Sequence, residues 1–296
     1  MGVVYLAEHD RIERSKAVKV LRGEWASDPL LVRRFFDEAL AAAACRHDHV
    51  IAVDDCGTLL HGGRGHHYIV MELLEGTSLA DTLAKEDALD VVRAVRIVAY
   101  AADAVAAAHA RGVVHRDLKP ANLFLARRGA RSEYVKVLDF GIARLDAHAD
   151  GAPSLLGTPD YMAPEQLRGA IADERSDIYS LGAILFRLIA GRLPTERPLS
   201  LDERRALPRG VRRALVRSLA SDPESRFATM HDFLRALLAD DAVPEALAPE
   251  ASLDVPLETR PAPPPGSSQL TPTLLAFTLG AAVLSVAAIT ALSLLR

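Results

Sequence analysis

Residues 113–125, VVHRDLKPANLFL, set His115, Arg116, Asp117, Lys119 and Asn122 between two apolar stretches, Val113–Val114 and Leu123–Leu125. Ionisable groups at that density between buried strands mark a site. Asp117 can accept the proton of a hydroxyl and Lys119 can neutralise phosphate charge. Asn122, five residues after Asp117, can offer its amide oxygen to a metal. A hairpin follows, ARRGARSEYVKVLDFG, in which Val135 and Val137 alternate with polar residues and Asp139 stands where the strand ends, with Gly141 allowing a turn. A carboxylate and an amide oxygen at the ends of neighbouring strands suit a hard cation such as Mg²⁺.

Two earlier elements carry a matching pair of charges. In SKAVKVLR, strand alternation puts Ala17, Lys19 and Leu21 on one side and Val18 and Val20 on the other. In SDPLLVRRFFDEALAAAACRH, Ser27 or Asp28 can cap a helix and Pro29 suits its first turn, so that Phe35, Glu38, Ala39 and Ala42 share a face. A carboxylate on an inward face needs a cation, because burying it alone is costly. Lys19 is the candidate partner of Glu38, although a strand lysine taken alone is more often a solvated edge residue, and its case rests on the segments that follow.

Together these segments resemble the eukaryotic-type (Hanks-type) protein kinases, in particular the bacterial serine/threonine kinases, over about residues 2–239. The resemblance rests on Lys19, Glu38, HRDLKPAN, DFG at 139–141, GTPDYMAPE at 157–165, SDIYSLG at 176–182 and DPESRF at 222–227, in the family's order. It implies an α+β, bilobal fold, with a small antiparallel-sheet N-lobe over about 1–74 that lacks its first strand and a mostly helical C-lobe over about 75–239. It implies ATP as phosphate donor, Mg²⁺ with Mn²⁺ as a substitute, and Ser/Thr hydroxyls of proteins as acceptors. Lys19, steadied by Glu38, would hold the α- and β-phosphates; Asn122 and Asp139 would hold the metal; Asp117 would orient the acceptor hydroxyl and take its proton. Lys119 and Thr158 fit the serine/threonine branch. Along YIVMELLEG, Met71 would guard the back of the adenine pocket, the backbone of Glu72 and Leu74 would bond the base edge, and Val4, Ala17 and Phe124 would sandwich the ring. Asp177 would anchor the backbone around Asp117, and Glu165 would pair with Arg226. Ser154 is the phosphorylation candidate of the loop after Asp139, with Arg116 as its receiver. The segment after LIAGRLP is shorter than the family's.

Gly2 and Val4 in the opening MGVVYLAEHD match the second half of the family's phosphate-covering loop, so the sequence is expected to begin inside that loop. That expectation keeps a second reading open, a pseudokinase or nucleotide-responsive scaffold.

Composition bounds the rest. The 296 residues are 50% hydrophobic, enough for a large domain or two lobes, and a net charge of -4 argues against a nucleic-acid partner. Cys45 and Cys56 stand apart from any CxxC or Cys/His cluster, which argues against a disulfide framework and a structural zinc site. Residues 240–272 are rich in Pro, Ala and acids without apolar periodicity and read as a disordered linker. Leu274 to Leu295 are 22 residues without a charge, so 273–295 is expected to be a transmembrane helix. The expected arrangement is a single-pass cell-membrane protein with its kinase domain in the cytoplasm, where ATP is. Ala276 and Gly280 form a small-xxx-small pair suited to a homodimer.

Overall fold

A computed structural model describes residues 2–8, 14–61, 64–128, 131–140 and 159–239. The expectations for Gly141, Ser154, Thr158, the 240–272 linker and the apolar run 273–295 fall outside them. Among the described residues no helix is long and apolar enough to cross a membrane.

Four strands, β1 (Gly2–Glu8), β2 (Ser15–Leu21), β3 (Val53–His61) and β4 (Arg64–Glu72), form an antiparallel sheet in the order β1-β2-β4-β3. Helix α1 (Pro29–Cys45) packs across it. Asp28 makes the cap, accepting the amides of Leu30 at 2.8 Å and Leu31 at 3.4 Å, and Pro29 fills the first turn where its missing N–H costs nothing. The core between helix and sheet is small: Leu21, Phe35, Ala39 and Ile69 are buried, with Trp25, Val32 and Phe36 at its margin. Strand β1 is an edge, and Val4 and Leu6 on it are exposed.

Beyond β4 the chain becomes mostly helical, through β5 (Gly76–Ser78), α2 (Leu79–Leu83) and α3 (Val91–His109). Then come the hairpin β6 (Leu123–Arg128) and β7 (Arg131–Val137), and helices α4 (Pro164–Leu167), α5 (Glu174–Ala190), α6 (Leu201–Ala206), α7 (Arg209–Ser218) and α8 (Met230–Leu237). Strands β5, β6 and β7 make a second antiparallel sheet. Helix α3 is alanine-rich and buried on nearly every side, so its neighbours can approach closely and it serves as the axis of this lobe. Helix α5, capped by Asp173 and buried over most of its length, packs against α3, and α7 and α8 close the other side. The short segment after LIAGRLP still holds a helix, the six-residue α6.

Two of the connections between the lobes run through the backbone. Leu73, Leu74 and Glu75 connect β4 to β5. The loop after α1 docks on β7, where Ile51 N–H bonds Val137 O at 3.0 Å, Val137 N–H bonds His49 O at 2.7 Å, and the His49 ring lies between Tyr100 and Tyr134.

Candidate active site

Lys19 comes from β2, Glu38 from α1 and Asp139 from the turn that follows β7. Lys19 Nζ donates to Glu38 Oε1 at 2.6 Å and to Asp139 Oδ1 at 2.9 Å. The Lys19 side chain is 11% exposed and that of Glu38 13%, whereas Asp139 is 52% exposed. Two carboxylates therefore share one ammonium, and their protonation divides accordingly. Burial, followed by the neighbouring Asp139 carboxylate, pushes Glu38 up to about 8. Burial works the same way on Asp139, but the Lys19 charge and hydrogen bonds outweigh it and hold that carboxyl below its usual range. For Lys19 burial opposes the charge, and the two acids more than compensate.

Gly2 is paired with Leu21 at the end of β1, and a Cβ there would stand 2.9 Å from Val20 O and 3.1 Å from the Lys19 stem. Only glycine lets β1 lie this close to the lysine.

The second group lies in the loop before β6. Lys119 Nζ donates to Asp117 Oδ2 at 2.8 Å, and the Asn122 amide nitrogen donates to Asp117 O at 2.8 Å and Oδ2 at 3.3 Å. With its NH₂ committed this way, Asn122 keeps its amide oxygen as a free acceptor. Leu138 N–H bonds Asn122 O at 2.9 Å, which ties this loop to the segment carrying Asp139. Asn122 and Asp139 thus supply an amide oxygen and a half-exposed carboxylate, a donor set that fits Mg²⁺ completed by waters and phosphate oxygens.

The loop is fixed from below. Asp177 Oδ2 accepts from His115 N–H at 2.8 Å, its Oδ1 accepts from Arg116 N–H at 2.8 Å, and His109 Nε2 lies 2.8 Å from Oδ2. Arg116 has φ of 66° and Asp139 φ of 42°, left-handed conformations that side chains other than glycine adopt at a cost. The bonds from Asp177 hold the first of them in place. His115 is fully buried with Nε2 2.9 Å from Leu138 O and Nδ1 facing the Asp117 amide at 3.4 Å, so its proton sits on Nε2. Burial lowers its pKa and keeps it neutral, and its ring packs on Phe140 with centroids 4.8 Å apart. Farther down, Arg226 makes a two-pronged ion pair with Glu165 at 2.7 and 2.8 Å, and Ser176 Oγ donates to the same carboxylate.

The residues assigned to the base are placed less closely together. A cavity of about 20 Å³ opens beside Lys19, Glu38 and Asp139, with Met71, Val53 and Phe140 among its walls. Ala17 is buried opposite Met71 in the β2–β4 ladder, Val4 faces Lys19 in the β1–β2 ladder but is 60% exposed, and Phe124 is half-buried on β6. The backbone of Leu74 makes no hydrogen bond among the described residues.

Glu72 brings a contact the sequence reading missed. Its amide bonds Ala52 O at 3.0 Å, and its carboxylate accepts Ala52 N–H at 2.8 Å and Lys136 Nζ at 2.6 Å. Lys136, buried on β7, also donates to Val50 O at 3.0 Å. His109 was missed as well. Its signal was a lone histidine ending an apolar alanine-rich helix, and that of Lys136 a lysine inside the buried YVKV strand.

The family model for the protein kinase domain matches residues 1–244. This chain belongs to the protein kinase family. The kinase domain is 39% identical over 255 residues to serine/threonine-protein kinase Pkn1 of Myxococcus xanthus, covering 80% of this chain and 36% of that protein. It is 38% identical to pkn3 of the same organism, covering 81% of this chain and 48% of that protein, so it spans less than half of either relative. Among solved structures, the PknI kinase domain of Mycobacterium tuberculosis superposes with a TM-score of 0.61 at 32% identity, over 80% of this chain and 90% of that one.

Proposed function

We propose that the chain is a serine/threonine protein kinase that transfers the γ-phosphate of ATP, as its Mg²⁺ complex, to protein hydroxyls. The observation that carries this reading is the paired arrangement of Lys19 with Glu38 and Asp139, and of Asp117 with Lys119 and Asn122, joined through the Leu138–Asn122 bond. When bound, the metal would neutralise charge on the phosphates, with Asn122 and Asp139 as its protein ligands. Lys19 would hold the α- and β-phosphates and Gly2 would let β1 lie over them. Asp117 would orient the acceptor hydroxyl and take its proton, while Lys119 would offset charge on the phosphoryl group in flight. Ala17, Val4 and Phe124 would enclose adenine, with Met71 behind it and the 72–74 backbone along its edge.

The same reading places residues 1–239 in the cytoplasm, with 240–272 as a tether and 273–295 as a single membrane span that can support a homodimer. Protein substrates near the membrane follow from the tether's reach. The test is transfer of labelled γ-phosphate to a serine- or threonine-containing acceptor by the wild-type chain and by Asp117→Asn. A general base contributes roughly 10²–10⁴-fold, and the Asn variant should lose about that much at unchanged thermal stability. Equal rates for the two, or no transfer by either, would refute the assignment.

A further inference from the structure

Helix α7 carries a charged face that the phosphotransfer site does not use. Gly210, Val211, Ala214, Leu215 and Ser218 point inward and are buried. Arg209, Arg212, Arg213 and Val216, at spacings of three, four and seven, share the opposite face; Arg209 and Arg213 are exposed, Arg212 is half-buried and Val216 is 61% exposed. No carboxylate among the described residues pairs with these three arginines, whereas Arg175, Arg192, Arg226 and Arg235 each have one. Like charges at positions 209 and 213 of one helix disfavour it slightly unless an anion lies between them.

The complementary charge is in the same chain. Helix α8 packs on α7, and directly after it residues 240–258, DDAVPEALAPEASLDVPLE, contain six carboxylates and no cation. Those 19 residues can extend roughly 60 Å, against about 15 Å for α7, so the segment is long enough to bring its later carboxylates along the whole face. Covalent attachment sets the effective concentration in the millimolar range, which lets individually weak surface pairs act together. Leu247 and Val255, interspersed among the acids, match the exposed Val216.

We propose that residues 240–258 dock on the arginine face of α7 as an intramolecular strap, fixing where the chain leaves the C-lobe. Lysine occurs at five positions only, which gives zero-length carbodiimide cross-linking a low background. The full chain in a nonionic detergent, carrying Arg209→Lys and Arg213→Lys to keep the charge, is cross-linked as a mixture of ¹⁴N and ¹⁵N protein and mapped by mass spectrometry. Cross-links from these two positions to carboxylates of 240–258 should run within one chain and exceed those to other acids. They should fall roughly fivefold or more in about 1 M NaCl, where the screening length is about 3 Å. Phosphotransfer by the Lys variant should stay at the wild-type level. Cross-links that are absent, insensitive to salt, or formed between chains would overturn the proposal. So would their loss on adding phosphatidylglycerol vesicles, because the face would then belong to an anionic bilayer.

Discussion

Two charged assemblies sit one above the other, and they are built differently. In the cleft, Lys19 is held between Glu38 from one lobe and Asp139 from the other, two carboxyl groups to one ammonium, with Asp139 half in solvent. Below the loop, Asp177 is 1% exposed and accepts from two backbone amides with a histidine beside it, and the Arg226 side chain, fully buried, is paired with Glu165 at both ends. The lower assembly lies wholly within one lobe, and both oxygens of Asp177 and both prongs of Arg226 have partners. The upper one spans two lobes and leaves Asp139 half-exposed, as the proposed metal would require. The upper assembly is partly wet and has more acceptors than cations; in the lower one the Asp177 and Glu165 carboxylates are dry and held by several donors each.

The largest expected effects lie in the lower assembly. Asp177→Ala would leave two buried amides and His109 without their acceptor and should cost about 3–5 kcal/mol in urea unfolding, together with activity. Glu165→Ala would leave the Arg226 charge buried and unpaired, for a loss of about 3 kcal/mol. If both variants unfold at the wild-type midpoint, the contrast between the assemblies fails. Lys136→Met should act in between: it frees Glu72 from behind, and the loss should appear as a raised KM for ATP with a smaller change in kcat.

Much of the upper assembly was legible in sequence. Strand alternation and a helical face nominated Lys19 and Glu38 as a pair, and the family resemblance decided in favour of Lys19 over a solvated edge lysine. Asp117, Lys119 and Asn122 stood out by density of charge between apolar strands. The lower assembly was legible only through family resemblance, since nothing local to Asp177 indicates that it turns toward amides about sixty positions earlier. Lys136 and Glu72 show the limit more sharply. The expectation for Glu72 concerned its backbone, and only the packing of the 50–52 loop against β7 reveals that its side chain faces a buried lysine.

A smaller effect should appear with pH. The folded-state pKa of Glu38 is raised, from 4.5 to about 8, so the folded protein holds this proton more tightly than the unfolded chain. Its contribution to stability is fully present below the unfolded value and is lost as pH rises through about 8. Asp139, with a lowered pKa, contributes in the opposite sense: its share is present above the ordinary carboxylate range and is lost in acid. In the nucleotide-free protein, Glu38→Gln should therefore flatten the fall in the urea midpoint between about pH 5 and pH 8. An unchanged slope would mean that the ammonium is not shared.

The most direct test sets one carboxylate from each assembly side by side, measuring γ-phosphate transfer and thermal midpoint for Asp139→Asn and Asp177→Asn. The account predicts that Asp139→Asn loses transfer while its midpoint stays within about 3 °C of wild type, a change of roughly 1 kcal/mol or less, and that Asp177→Asn melts well below that window. Transfer retained by Asp139→Asn, or a wild-type midpoint for Asp177→Asn, would contradict it.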